Sequence, residues 1–289
     1  VGALTSTDFR FKMRVWFLKE TPGICTESSA GCNTLVSSRE GVVQRITPRR
    51  NDKVNDAWMT DSGRELYKAV KSENRILRPS VNGMDHTMDA AIARAVELLA
   101  GRKIGVVASC RSTVEEQFLV KRLADCLSAK VFLRGHFGAD DGILLSSDRT
   151  PNLRGALAVD LFDLYPSDHL KDLDEDLAAG NLDGLLVMGE DLVDAGVSEV
   201  NLAKAPVVFL GSHHNGTSRS AAVVLPGLSV FEKAGSFINR SFFLQGFESA
   251  VPGPVGLRPE WKTLSSIFES ISGESLRSEE HTSELQSPC

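Results

Sequence analysis

The hydrophobic rhythm of the chain changes near residue 88. Before that point apolar residues come in short runs at 15–18, 33–37 and 42–46. Each run reads as a strand, because a two-residue period puts every second side chain on one face. Arg39, Glu40 and Gly41 between the last two read as a hairpin turn. Residues 13–70 are thus predicted to be a small β-rich module. Residues 71–88, with Pro79 and an Asn82-Gly83 pair, read as a polar linker. Beyond it the period lengthens. A helix is predicted over 88–100, stopped by Gly101. A strand at 104–108, a turn at 109–113, an amphipathic helix at 115–127 and a strand at 130–133 follow. Later strands are predicted at 184–188, 206–210 and 222–225. Near-continuous apolar strands alternating with turns and helices imply a mostly parallel, doubly wound sheet covered on both faces. Periodicity over 138–170 is weak and places that stretch only loosely.

Composition narrows the function classes. The net charge of −6 over 289 residues argues against nucleic acid as a partner, since a phosphate-binding surface needs excess Lys and Arg. No run of about 18 apolar residues exists, so direct membrane insertion by a helix is not expected. Any membrane association would come through partner subunits. Five cysteines, Cys25, Cys32, Cys110, Cys126 and Cys289, are odd in number and irregularly spaced, unlike a disulfide framework. The polar tail 277–289 resembles translated adapter sequence and is expected to be an artefact. The chain is expected to be truncated at both ends.

Cys25, Ser28 and Cys32 follow the spacing of a C-x2-C-x3-C loop, with serine at the middle position. A cubane cluster needs four thiolates, three of them commonly on one loop whose close spacing lets it wrap three corners. The distant fourth position falls at Met59, in the segment Trp58-Met59-Thr60-Asp61.

These residues, with Asn33, Gly41, Arg45, Pro48, Asn55, Trp58, Asp61, Gly63 and Arg64, resemble the iron–sulfur module that opens molybdopterin oxidoreductases. Within that superfamily the chain resembles the large iron–sulfur subunits of bacterial NADH–quinone oxidoreductase, complex I. The lead-in 1–12 resembles the end of a ferredoxin-type module. The resemblance implies a degenerate 4Fe–4S Mo/W bis-MGD-type module at 13–70 and a molybdopterin-oxidoreductase-like α/β domain at 89–276. It implies electron transfer from NADH toward quinone in the parent complex, with this part serving mainly as scaffold and subunit-docking surface. The implied metal ligands are Cys25 and Cys32, with Ser28 and Met59 at the other two positions. The implied cofactor is a 4Fe–4S cluster, incomplete or lost in this chain, and no molybdenum cofactor is expected. The implied partners are the other subunits of the complex, and the implied location is cytoplasmic, peripheral to the inner membrane. Alone, the fragment is expected to be inactive.

In the second half, residues 108–118, 182–189 and 221–245 carry the same resemblance. In cofactor-bearing relatives Glu232, Gly235 and Asn239 would lie near pterin. Here structural roles are expected, a tight turn for Gly235 and backbone hydrogen bonds for Asn239, with 231–240 and Gln245 following the family pattern for the last sheet strand and its return loop. A helix is expected over 261–267. Turns at 109–113, 189–191 and 211–216 lack a G-x-G-x-x-G or P-loop pattern. His213-His214, Asp140-Asp141 and the acidic run 172–176 read as surface, and Ser218 and Ser220 lack a nucleophile elbow. Two rivals stand beside the main reading: a molybdopterin-dependent oxidoreductase such as a formate dehydrogenase-like subunit, and a non-redox interaction module.

Overall fold

The structure is a computed structural model that describes residues 6–162 and 166–275. The tail 277–289 and residues 1–5 of the lead-in lie outside the described residues. Strands β1 (Lys19–Ile24), β2 (Asn33–Arg39) and β3 (Val42–Pro48) form an antiparallel meander. Glu40 and Gly41 both have positive φ, 50° and 75°, which is the backbone a two-residue hairpin needs to match strand twist. The strand expected at 15–18 is corrected: Val15–Phe17 is a single 3-10 turn. Pairing begins only at Lys19, opposite Ser38, and β2 enters its hairpin after Arg39, so the run 15–18 has no strand to pair with. A short helix α1 (Asp61–Glu65), capped by the Thr60 side chain, follows the meander.

The stretch 71–88 also contributes to the main sheet. Strands β4 (Ser80–Val81) and β5 (Met84–Asp85) form an antiparallel hairpin around Asn82 and Gly83, and β4 pairs with the sheet edge. Further along, the chain alternates α2 (Met88–Leu99), β6 (Ile104–Ser109), α3 (Val114–Leu127) and β7 (Lys130–Arg134). After α4 (Leu153–Ala158) and α5 (Lys171–Ala179) come β8 (Gly184–Met188), α6 (Glu199–Leu202), β9 (Val207–Gly211), α7 (Gly216–Ser220) and β10 (Val223–Pro226). The seven-stranded sheet runs β5-β4-β10-β9-β8-β6-β7, with every pair from β10 to β7 parallel. It is the mostly parallel sheet the sequence implies.

Alternation along fully buried strands fills both faces. Val106, Ala108, Leu186, Met188, Val208 and Leu210 pack with residues of α2, α3, α4 and α8 (Glu260–Ser272). Val107, Leu185, Val187, Val207 and Phe209 pack with residues of α5 and α6. The chain leaves β6 toward β7 on one side, and β8 begins the build-up on the other. That reversal makes a crevice at the carboxyl ends of β6 and β8, the usual ligand position in open α/β sheets.

Residues 231–239 depart from expectation. β11 (Gly235–Ile238) pairs with β12 (Leu244–Phe247) as a separate two-stranded ribbon. Its stacked Phe237 and Phe247 pack with Ile24 of β1, so the ribbon backs onto the small module.

Helix α3 starts at a capping box. Thr113 accepts from the Glu116 amide at 3.3 Å, and the Glu116 carboxylate accepts from the Thr113 amide at 3.0 Å. Thr113→Ala is expected to lower unfolding free energy by about 1–2 kcal/mol in urea titration.

Candidate metal centre

Cys25 follows the last residue of β1 and Cys32 precedes the first residue of β2. Ile24 pairs with Asn33, and the Cys25 amide donates to the Cys32 carbonyl at 2.8 Å, so the two cysteines continue the antiparallel register. The loop between them is pinned from the other half of the chain. Ser29 donates from its amide to the Asp148 carbonyl at 2.9 Å and from its hydroxyl to Ser146 at 3.0 Å. The Arg240 amide donates to the Ser29 carbonyl at 2.7 Å, and the Asn239 side chain donates to the Ala30 carbonyl at 3.4 Å. Gly31 has a φ of 63°, a backbone conformation that favours glycine.

Met59 is brought to the same place. Asn55 links the two stretches: its Oδ1 accepts from the Asn33 amide at 3.0 Å and its Nδ2 donates to the Trp58 carbonyl at 2.8 Å. Thr60 then caps α1 through the Gly63 amide at 3.1 Å. Gly63 is the contact point. The position of an added Cβ lies 2.7 Å from Cys25 Sγ and 3.4 Å from Met59 Cε. Cys25, Cys32 and Met59 are buried in one apolar cluster with Val36, Ile46 and Phe231.

Ser28 is buried beside them, but its hydroxyl is engaged elsewhere. It accepts from the Ala30 and Ser146 amides, both at 3.4 Å. Burial pushes the Cys25 thiol up to about 12. The nearby Cys32 and Glu27 add to the rise, and the Glu27 amide and Thr60 hydroxyl act against it. Burial also raises Cys32, with the Arg240 charge opposing. The four positions together offer two cysteine sulfurs, a thioether and a hydroxyl turned to backbone amides. That donor set does not fit a cubane, whose corners each take a thiolate. Among the described residues, no three His, Cys, Asp or Glu side chains gather as a metal-binding group.

The strand-end crevice is polar and internally paired. A cavity of about 700 Å³ there is lined by Ser109, Arg111, Gly189, Gly211, His213 and Phe231, among others. Glu190 on its wall accepts from Ser109 at 2.5 Å, meets His136 at 2.9 Å and lies 3.6 Å from Arg134. Arg134 also donates to the Asp191 carbonyl at 2.7 Å and to Asp194 at 2.5 Å. Lys233 lies between Glu116 at 2.5 Å and Glu260 at 3.1 Å, all three buried. Cys110 just past β6 is fully buried, and its thiol is pushed up by burial and by the nearby Asp148 and Glu190 charges. Of the residues placed near pterin by resemblance, Glu232 pairs with Arg75 and accepts from the Ser229 amide at 2.7 Å. Asn239 accepts from the Ser241 and Phe243 amides, each at 3.0 Å, closing the ribbon turn. Gly235 is corrected: it lies within a strand, and its missing Cβ admits Thr113, whose Cγ2 would be 2.7 Å away. Sequence reasoning missed Ser146, Asp148 and the Glu116–Lys233–Glu260 triad.

Comparison with known proteins places both halves. Residues 18–68 match the NADH-ubiquinone oxidoreductase NDSU1/NuoG-like 4Fe-4S domain, and residues 162–270 match the molybdopterin oxidoreductase family. Similar curated proteins include the NADH-quinone oxidoreductase G subunit of Rickettsia conorii, 32% identical over 47% of this chain and 21% of that protein. The Pseudomonas fluorescens protein of the same name is 29% identical over 62% of this chain and 18% of its own length. A mitochondrial NADH dehydrogenase iron-sulfur protein 1 from Solanum tuberosum is 32% identical over 47% of this chain and 20% of that protein. The chain therefore spans about a fifth of the length of the curated relatives it matches. A chain of the formyltransferase/hydrolase complex from Methylorubrum extorquens superposes with a TM-score of 0.45 at 12% identity, over 68% of this chain and 99% of that one. Two domain matches in series, over residues 18–68 and 162–270, and curated relatives about 30% identical make this chain similar to part of the NADH-quinone oxidoreductase G subunits.

Proposed function

We propose that this chain is the part of a large NADH–quinone oxidoreductase subunit that serves as scaffold and docking surface, and that it carries no cluster of its own. The parent protein passes electrons from NADH toward quinone through clusters held outside residues 13–276. The observation that carries the reading is the presence of Ser28 and Met59 at two of the four ligand positions, in a module whose Asn33 and Asn55 are hydrogen-bonded and whose Gly63 packs on Cys25. Cys25 and Cys32 act as small core residues.

The crevice supports the same reading. A pterin dinucleotide brings phosphates, and the charged side chains buried around this cavity are arranged as carboxylates paired with cations. Of the cations lining the cavity, Lys233 is the buried one and is committed to Glu116 and Glu260, while Arg149 donates to the Ala139 carbonyl. No molybdenum cofactor is bound in this reading. Docking is supported by large apolar side chains left in water at Phe11, Trp16, Trp58, Phe242 and Leu244. The partners are the other subunits of the complex, and the protein sits on the cytoplasmic side, peripheral to the inner membrane. Among the described residues no helix is long and apolar enough to cross a membrane.

Metal analysis of the protein purified without oxygen tests this. Iron, molybdenum and tungsten are each expected well below one equivalent. A full equivalent of molybdenum or tungsten would overturn the scaffold reading in favour of a catalytic oxidoreductase. Four equivalents of iron with matching acid-labile sulfide would overturn the cluster-free module.

A further inference from the structure

We infer that Cys25, Cys32 and Met59 form a three-sulfur site for a soft monovalent metal ion, copper in its Cu(I) state. The inference rests on the cluster-free reading, because an iron cubane would need the same two cysteines. The donor chemistry points to the ion. Two thiolates and a thioether are the ligand types that select Cu(I) over harder cations. A structural zinc site would need a fourth nitrogen, sulfur or oxygen donor. The oxygens nearby are engaged with the backbone: the Ser28 hydroxyl accepts from two amides and the Thr60 hydroxyl from the Gly63 amide, and no histidine or carboxylate joins the cysteines in a metal-binding group among the described residues.

The fold gathers the three side chains in one buried cluster. Cys25 and Cys32 stand opposite each other at the end of the β1–β2 ladder, and directly opposed residues of an antiparallel pair project to one face. Met59 lies beside Cys25, since its Cε and Cys25 Sγ both border the space left open at Gly63. All three side chains are buried with apolar neighbours, which keeps water and oxidants away from a reduced ion.

The charge also works out. Binding Cu(I) forms two Cu–thiolate bonds, releases two thiol protons to solvent and moves no electrons. One net negative charge remains on the bound site.

The full chain, with Cys126→Ser and Cys289→Ser to remove thiols outside the site, is titrated without oxygen against the coloured Cu(I)–bicinchoninate complex. The expected result is withdrawal of one equivalent of copper and an X-ray absorption spectrum with sulfur-only coordination. Cys25→Ser and Cys32→Ser are each expected to weaken binding by about 100-fold, and Met59→Leu by about tenfold. Met59→Leu conserves volume, so its effect is read on a folded protein. Failure to compete with bicinchoninate, a double Cys25→Ser/Cys32→Ser variant that binds as tightly as its parent, or a nitrogen and oxygen shell would each overturn the site. If iron and sulfide instead build a cubane, the cluster-free reading falls. If neither copper nor iron binds, only the copper site does.

Discussion

Replacing Lys233 with methionine is expected to lower unfolding free energy by about 3–5 kcal/mol, more than any of the other substitutions proposed for this chain. Lys233 is buried between the carboxylates of Glu116 and Glu260, at 2.5 and 3.1 Å. Methionine fills a similar volume, so packing is kept and the charge is lost. Two carboxylates then face each other without a cation, and Glu116 must also keep capping α3. The triad joins the start of α3, the start of α8 and the segment leading into β11, so the loss is expected to be global. Urea unfolding followed by circular dichroism measures it. An unfolding free energy within about 1 kcal/mol of the parent would show that the triad is not paired as described.

The same triad sets a pH dependence. Burial, with the neighbouring Glu116 charge, raises Glu260 from the ordinary 4.5 to about 7, although Lys233 opposes the rise. Between these values the folded protein holds a proton that the unfolded chain has released. Stability is therefore fullest below the ordinary value, falls as pH rises from about 4.5 to about 7, and levels off above. Glu260→Gln keeps the neutral form and is expected to flatten that slope. Equal slopes in variant and parent across that window would assign the dependence to another group.

The second large effect is expected at Arg134→Met, about 3 kcal/mol. The guanidinium reaches the Asp191 carbonyl at 2.7 Å, Asp194 at 2.5 Å and Glu190 at 3.6 Å, at the point where the sheet reverses direction. Without it, buried Glu190 keeps Ser109 and His136 but loses its permanent positive neighbour. The exposed Asp194 end contributes little, since its carboxylate is largely solvated. Thermal unfolding of Arg134→Met against Asp194→Asn separates the two contributions: the first is expected to be large and the second small. A large loss in both would mean that the surface pair, not the buried one, carries the stabilisation.

These buried ion groups explain what sequence reading could reach. The strands at 104–108, 184–188 and 206–210 were legible because each is a short apolar run between turn residues, and a parallel sheet buried on both faces leaves that mark. The helix over 88–100 was legible from its period and its Gly101 stop, where φ is 68°. The run at 15–18 misled because apolarity alone does not supply a pairing partner, and β2 turns away before reaching it. The ribbon of β11 and β12 was missed for the opposite reason. Its register depends on the Asn239 turn and on Phe237 stacking with Phe247, which local periodicity does not encode.

The candidate site divides the same way. Cys25, Ser28 and Cys32 are legible as a spaced motif, and Asn33, Asn55 and Gly63 follow from the resemblance. That the Ser28 hydroxyl points to the Ser146 amide was not legible, because residues 138–170 carry almost no periodic signal and the two residues lie 118 positions apart. The triad was hidden because Glu116, Lys233 and Glu260 are far apart in the chain, and each alone resembles an ordinary surface charge.

The most direct test of the cluster-free module is anaerobic reconstitution of the full chain with ferrous iron and sulfide, followed by electron paramagnetic resonance of the reduced protein. Ser28→Cys/Met59→Cys, which restores four thiols at the four positions, serves as the comparison. The expected result is a chain without a cubane signal, and a double variant that gains one. A stoichiometric cubane signal in the unaltered chain, abolished by Cys25→Ala, would contradict it.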